Sequence, residues 1–152
     1  SLIFTRQNVP FLDRDEVDAD AMAKGGYVAA EAPAGAGEAD VILLATGSEV
    51  GLAMKARAEL AALNIQARVV SMPCTSIFDR QDAEWRASVL TPGTPILAIE
   101  ASKTDLWWKY MSGKGDVLGV DRFGESAPAD VLWQRFGFTV ENVAAKATAL
   151  LK

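Results

Sequence analysis

Histidine is absent from the 152 residues of this chain, and cysteine occurs once, at position 74. Without histidine there is no Cys–His or Ser–His pair, the commonest means of activating a nucleophile near neutral pH, so hydrolase chemistry is a poor candidate. Cys74 cannot form an internal disulfide, and its place directly after Met72-Pro73 at the end of an expected strand suits a buried or half-buried thiol. Positive charge is short as well. With 15 basic against 20 acidic side chains the net charge is −5, which offers no field to draw nucleic acid or an anionic bilayer. The longest strongly apolar run, Val41 to Ala45, falls far short of the roughly 20 residues that span a hydrocarbon core. No membrane segment is expected. Repeats at solenoid periods are missing too, and the one biased tract is a short acidic stretch.

What is present suits one compact domain: half of the residues are hydrophobic and 23% are charged, an ordinary balance for a packed chain of this length. Ser1-Leu2-Ile3-Phe4-Thr5 is a β-type run without an initiator methionine or cleavage signature, which reads as a start in mid-protein. Residues 13–20 carry five carboxylates, Asp13, Asp15, Glu16, Asp18 and Asp20, and read as a solvated linker that ends before Gly25-Gly26. Tyr27 to Ala30 can start a strand before Pro33 breaks the pattern.

The core pattern follows. Val41 to Ala45 is apolar throughout, as expected of a strand covered on both faces in a parallel sheet. Ser48 can cap a helix with apolar positions Val50, Ala53, Ala56, Leu60 and Leu63, running to about Asn64. Gln66 to Ser71 is the next strand, parallel to the first across this crossover. A short helix is predicted over 81–90, a buried strand over Pro95 to Glu100, a helix capped by Asp105 through Met111, and a last strand over Asp116 to Val120. Two helices close the chain: Pro128 suits the first turn of one, and Thr139 caps the other, which buries Val140, Val143, Ala147 and Leu150 or Leu151. Strand and helix alternate, giving an α/β fold: a three-layer αβα domain with a mostly parallel sheet of about five strands.

Several short patterns invite a site and fail on their residues. Gly47 in the strand–turn–helix at 45–49 lacks the further glycines of G-x-G-x-x-G, and Glu49 would compete with a phosphate for the helix N-terminus, so capping is the better reading. Gly113-Lys114-Gly115-Asp116 lacks the Ser or Thr of a phosphate loop and the second glycine of a thiamine-diphosphate motif, and reads as a turn. Asp79, Asp82 and Glu84 read as surface charge at a helix start, with no metal-ligand spacing. Among the aromatic residues, Trp85 and Trp133 suit the core. Trp107 and Trp108 are adjacent and cannot both face inward, which leaves one for another domain or subunit.

Four segments in order carry a resemblance: Thr5-Arg6-Gln7-Asn8, then Ala45-Thr46-Gly47-Ser48-Glu49-Val50, then Ala67-Arg68-Val69-Val70-Ser71-Met72-Pro73. The fourth is Phe123-Gly124-Glu125-Ser126-Ala127-Pro128-Ala129-Asp130 with Phe136-Gly137-Phe138-Thr139-Val140-Glu141-Asn142-Val143. Together they resemble the C-terminal part of transketolases. The resemblance implies that residues 1–12 end a pyrimidine-binding domain, 13–24 form the acidic linker and 25–152 the C-terminal domain. It also implies a parent enzyme that moves a two-carbon ketol unit between ketose and aldose phosphates with thiamine diphosphate and Mg2+. The parent is expected to be a cytoplasmic homodimer. By family resemblance Arg6 binds the phosphate of the sugar phosphate, with Thr5 where serine is frequent; a guanidinium fork suits two phosphate oxygens. No catalytic, cofactor or metal residue is carried over onto this chain, which is expected to be structural, to support the dimer and to be inactive by itself. The rivals are another thiamine-diphosphate enzyme, such as a deoxyxylulose-phosphate synthase or a dehydrogenase E1 component, and a regulatory nucleotide-binding module at Gly47.

Overall fold

The five apolar residues of β2 (Val41–Ala45) are all fully buried, and the fold is arranged around them. The computed structural model describes residues 8–10, 19–33, 39–111 and 113–152. β2 pairs in parallel with β3 (Ala67–Ser71) on one side and β4 (Ile96–Ile99) on the other. β5 (Gly115–Leu118) extends the sheet in parallel beside β4, and β1 (Tyr27–Ala30) closes the opposite edge antiparallel to β3. The order is β1-β3-β2-β4-β5.

Alternate strand residues feed two separate cores, as the two-residue period of a strand requires. Leu43, Val69, Leu97 and Ile99 meet α2 (Glu49–Ala62) and α6 (Val140–Leu150) on one face. Ile42, Leu44, Val70 and Ile96 meet Phe78, Val89, Trp107 and Tyr110 on the other. Those four come from α3 (Thr75–Phe78), α4 (Ala83–Val89) and a 3-10 helix (Thr104–Tyr110). The result is the three-layer αβα arrangement with a mostly parallel five-stranded sheet that the pattern predicted. α1 (Ala19–Ala23) precedes β1, and α5 (Ala129–Arg135) precedes α6. Entry into β1 depends on Gly25: its φ is +84°, and an added Cβ would stand 2.5 Å from the Cys74 carbonyl oxygen.

Several local expectations are corrected. Leu63 is 61% exposed, because α2 ends at Ala62 and the following Asn64 turns the chain with φ 60°. Ser48 makes no capping bond; its hydroxyl donates to Glu49 Oε2 at 2.8 Å. Asp105 lies exposed inside the first turn of a 3-10 helix that Lys103 precedes, so it caps no α-helix. Gly115 and Asp116 open β5 instead of completing a turn, and that strand ends at Leu118. Pro128 stands one residue ahead of α5, where its φ of −53° sets the entry angle. Among the described residues between β1 and β2 no helix is found, so the alternation is not seen at that point. The predicted cap at Thr139 is present, its side chain accepting from the Asn142 N–H at 3.2 Å.

Candidate functional site

From β2 the chain crosses through α2 to β3 on one side, while β4 lies on the other. The carboxyl ends of β2 and β4 therefore flank the topological switch point, the crevice where open α/β sheets hold their ligands. Ala45 and Ile99 are register partners at these ends. Two acids meet just beyond them. Glu49, at the start of α2, is 5% exposed, and its Oε1 accepts from the Ala101 N–H at 3.1 Å. Its negative charge sits in the first turn of α2, where the helix dipole favours it. Glu100 directly follows β4, and its Oε2 is buried with no hydrogen-bond partner among the described residues. Burial first, and then the charge of Glu49, push the Glu100 pKa up to about 7. A crevice furnished in this way repels an anion, which removes the nucleotide-module reading at Gly47: the place a phosphate would take is filled by a carboxylate.

Beside these acids lies an apolar cavity of about 250 Å3, lined by Ala101, Val120, Leu132, Trp133, Phe136 and Phe138. The rings of Trp133 and Phe138 meet edge to face with centroids 5.6 Å apart. Its outer wall is fixed by charge: Glu125 pairs with Arg122 at 3.0 Å and with Arg135 at 2.7 Å, and Arg122 stacks on the Phe136 ring. Between those anchors Phe123 is 98% exposed. Trp107 is buried at 2% exposure and Trp108 is 49% exposed, the division expected of adjacent tryptophans on one helix.

The remaining candidates settle into structural roles. Arg6 lies outside the described residues. Asp82 caps α4 by accepting from the Trp85 N–H at 2.7 Å, and Glu84 is exposed. Asp79 accepts from Lys109 at 2.6 Å and from the Tyr110 hydroxyl at 2.9 Å. Burial pushes its pKa up, yet these two donors hold it below the usual carboxylate range. Asp116 is engaged by Lys146 at 2.7 Å and by its neighbour's N–H, so the one segment resembling a thiamine-diphosphate motif is spent within the fold. Cys74 is half-buried, and the Ser76 hydroxyl beside it lowers its pKa. Among the described residues no three acidic or cysteine side chains gather to hold a metal, and no helix is long and apolar enough to cross a membrane. Glu100 escaped the sequence reading; an acid directly after a wholly apolar strand was its only signal.

A family model described as the transketolase-like TK C-terminal domain matches residues 25–139. Transketolase 2 of Pasteurella multocida is 52% identical over 152 residues, spanning 99% of this chain and 23% of that protein. Transketolase 1 of Escherichia coli is 48% identical over the same length, spanning 22% of that protein. This chain thus spans less than a quarter of these curated relatives. Among solved structures, transketolase from Pichia stipitis in complex with sedoheptulose 7-phosphate superposes with a TM-score of 0.84 at 39% identity, over 96% of this chain and 20% of that one. A split-gene transketolase described as an inactive β4 tetramer superposes with a TM-score of 0.71 at 25% identity, over 97% of this chain and 49% of that one.

Proposed function

Because this chain belongs to the transketolase family and is its C-terminal domain, we propose that it serves a ketol-transferring enzyme by architecture and not by chemistry. The parent carries out two-carbon ketol transfer between sugar phosphates with thiamine diphosphate and Mg2+, as a cytoplasmic homodimer. Residues 25–152 pack against the preceding domain and support the dimer. Residues 1–12 end that preceding domain, 13–24 link it, and 25–152 are the supporting domain. The observation that carries this reading is the match itself: agreement along 99% of this chain that accounts for 23% of the relative's length. The exposed Phe123, with half-exposed Trp108 and Leu106, supports a covering partner, since large apolar side chains left in water favour contact.

The deciding experiment removes residues 25–152 from the parent and follows its sedimentation. Loss of the dimer is expected; an unchanged dimer would refute the supporting role.

Arg6 binds the substrate phosphate in this reading, through a bidentate charge-assisted pair. Arg6→Ala in the parent is expected to raise KM for phosphorylated acceptors by roughly 10- to 100-fold, the range of about 1.5–3 kcal/mol for a hydrogen bond to a charged group. The KM for an unphosphorylated aldehyde acceptor should stay within about twofold. Equal effects on both acceptors would remove the phosphate role.

A further inference from the structure

The two acids at the switch point are placed so that they cannot be independent. Ala45 and Ile99 are neighbours in register, Glu100 follows Ile99, and Glu49 reaches back to bond the amide of Ala101, the residue after Glu100. Glu49 is satisfied: Oε1 takes the Ala101 N–H and Oε2 the Ser48 hydroxyl. Glu100 is not. Among the described residues its buried Oε2 receives no donor, and a carboxylate oxygen removed from water without a donor is costly, above all beside a second acid.

The surrounding charges do not relieve this. Asp121, at the far end of β5, is occupied by Thr104 at 2.8 Å, and Asp116 at its near end by Lys146 on α6. Lys103 lies in the turn beyond Glu100, Glu125 after β5 and Arg135 on α5, where it pairs with Glu125; the charge that raises the Glu100 pKa is that of Glu49. We propose that the carboxyl ends of β2 and β4 form a proton-operated clamp, with Glu100 as the group that gains and loses the proton beside Glu49. With the proton in place the strand ends lie closed. When solvent base takes the proton, no other bond changes, but the half-buried Glu100 becomes a carboxylate with one oxygen shut away from water, next to a second acid, and the ends loosen. The loosening passes to β5 and the segment after it, because Glu100 N–H bonds the Leu118 carbonyl and Val120 N–H bonds the Ser102 carbonyl. Ala101, held by Glu49, also lines the apolar cavity under α5, so that segment and cavity sense the same proton.

The sign of the effect is fixed. A carboxyl group whose pKa is higher in the folded than in the unfolded chain contributes stability that is complete below its unfolded value, and that contribution is lost as pH rises through the folded one, here about 7. Urea unfolding of the full chain at pH 5 and pH 8 is the test, with the Glu100 carboxyl carbon followed by NMR in the same titration. The folding constant of the unaltered chain should drop by at least about tenfold between the two pH values, and Glu100→Gln should abolish most of that drop. The carboxyl signal should titrate well above the range of an ordinary glutamate, and Glu49→Gln should move its midpoint down. A Glu100 signal titrating in the ordinary range would overturn the clamp whether or not either variant folds. So would a pH dependence that survives Glu100→Gln undiminished.

Discussion

Two ionisable groups of this sheet and its edge, Arg68 and Glu100, are treated in opposite ways. Arg68 on β3 is 5% exposed, yet its guanidinium is well partnered: Nε donates to Glu31 at 2.9 Å, and Nη1 to the Ser88 carbonyl at 2.9 Å and the Thr91 hydroxyl at 3.0 Å. It joins the loop after β1, the end of α4 and β3 into one unit. Glu100, past the carboxyl end of β4, has a buried oxygen with no donor among the described residues and an acidic neighbour. A buried charge with all its partners is a rivet, whereas one left short holds a proton or awaits a change. The shortfall falls at the end of the sheet where open α/β folds place their working groups, and the rivet falls away from it.

Urea unfolding of Arg68 variants challenges the first half of this contrast. Arg68→Ala should cost about 2–4 kcal/mol, a value discounted from the usual buried-pair loss because Glu31 is 40% exposed. Arg68→Lys keeps the charge but loses the fork, and should cost roughly 1–2 kcal/mol. Glu100→Gln at pH 5 should stabilise the chain by about 1 kcal/mol or less, since the folded carboxyl is neutral there while that of the unfolded chain is already largely ionised. A loss below about 1 kcal/mol for Arg68→Ala would erase the distinction between rivet and clamp.

The elements governed by local chemistry were legible. β2 announced itself by an unbroken apolar run, Thr139 by its cap position, and the Trp107–Trp108 pair by the geometry of a single helix. The errors arose where distant partners decide. Ser48 looks like a cap, but Glu49 draws its hydroxyl and itself bonds Ala101, 52 residues away. The residues from Thr104 to Tyr110 wind as a tighter 3-10 helix against β5, so Asp105 has no cap to make. The candidate site was the least legible part. Glu49 was weighed only as a rival to phosphate, and its pairing with Glu100 depends on β2 lying beside β4, an adjacency set by sheet order and not by any spacing in the sequence. Family likeness pointed to Arg6, which lies outside the described residues, while the buried acids needed coordinates.

The claim that this domain lends shape and contacts while ketol chemistry resides in other domains is tested most directly by a turnover assay. Residues 1–152 would be mixed with xylulose 5-phosphate, ribose 5-phosphate, thiamine diphosphate and Mg2+. No product above the blank is predicted, and any enzyme-dependent sedoheptulose 7-phosphate would contradict the account.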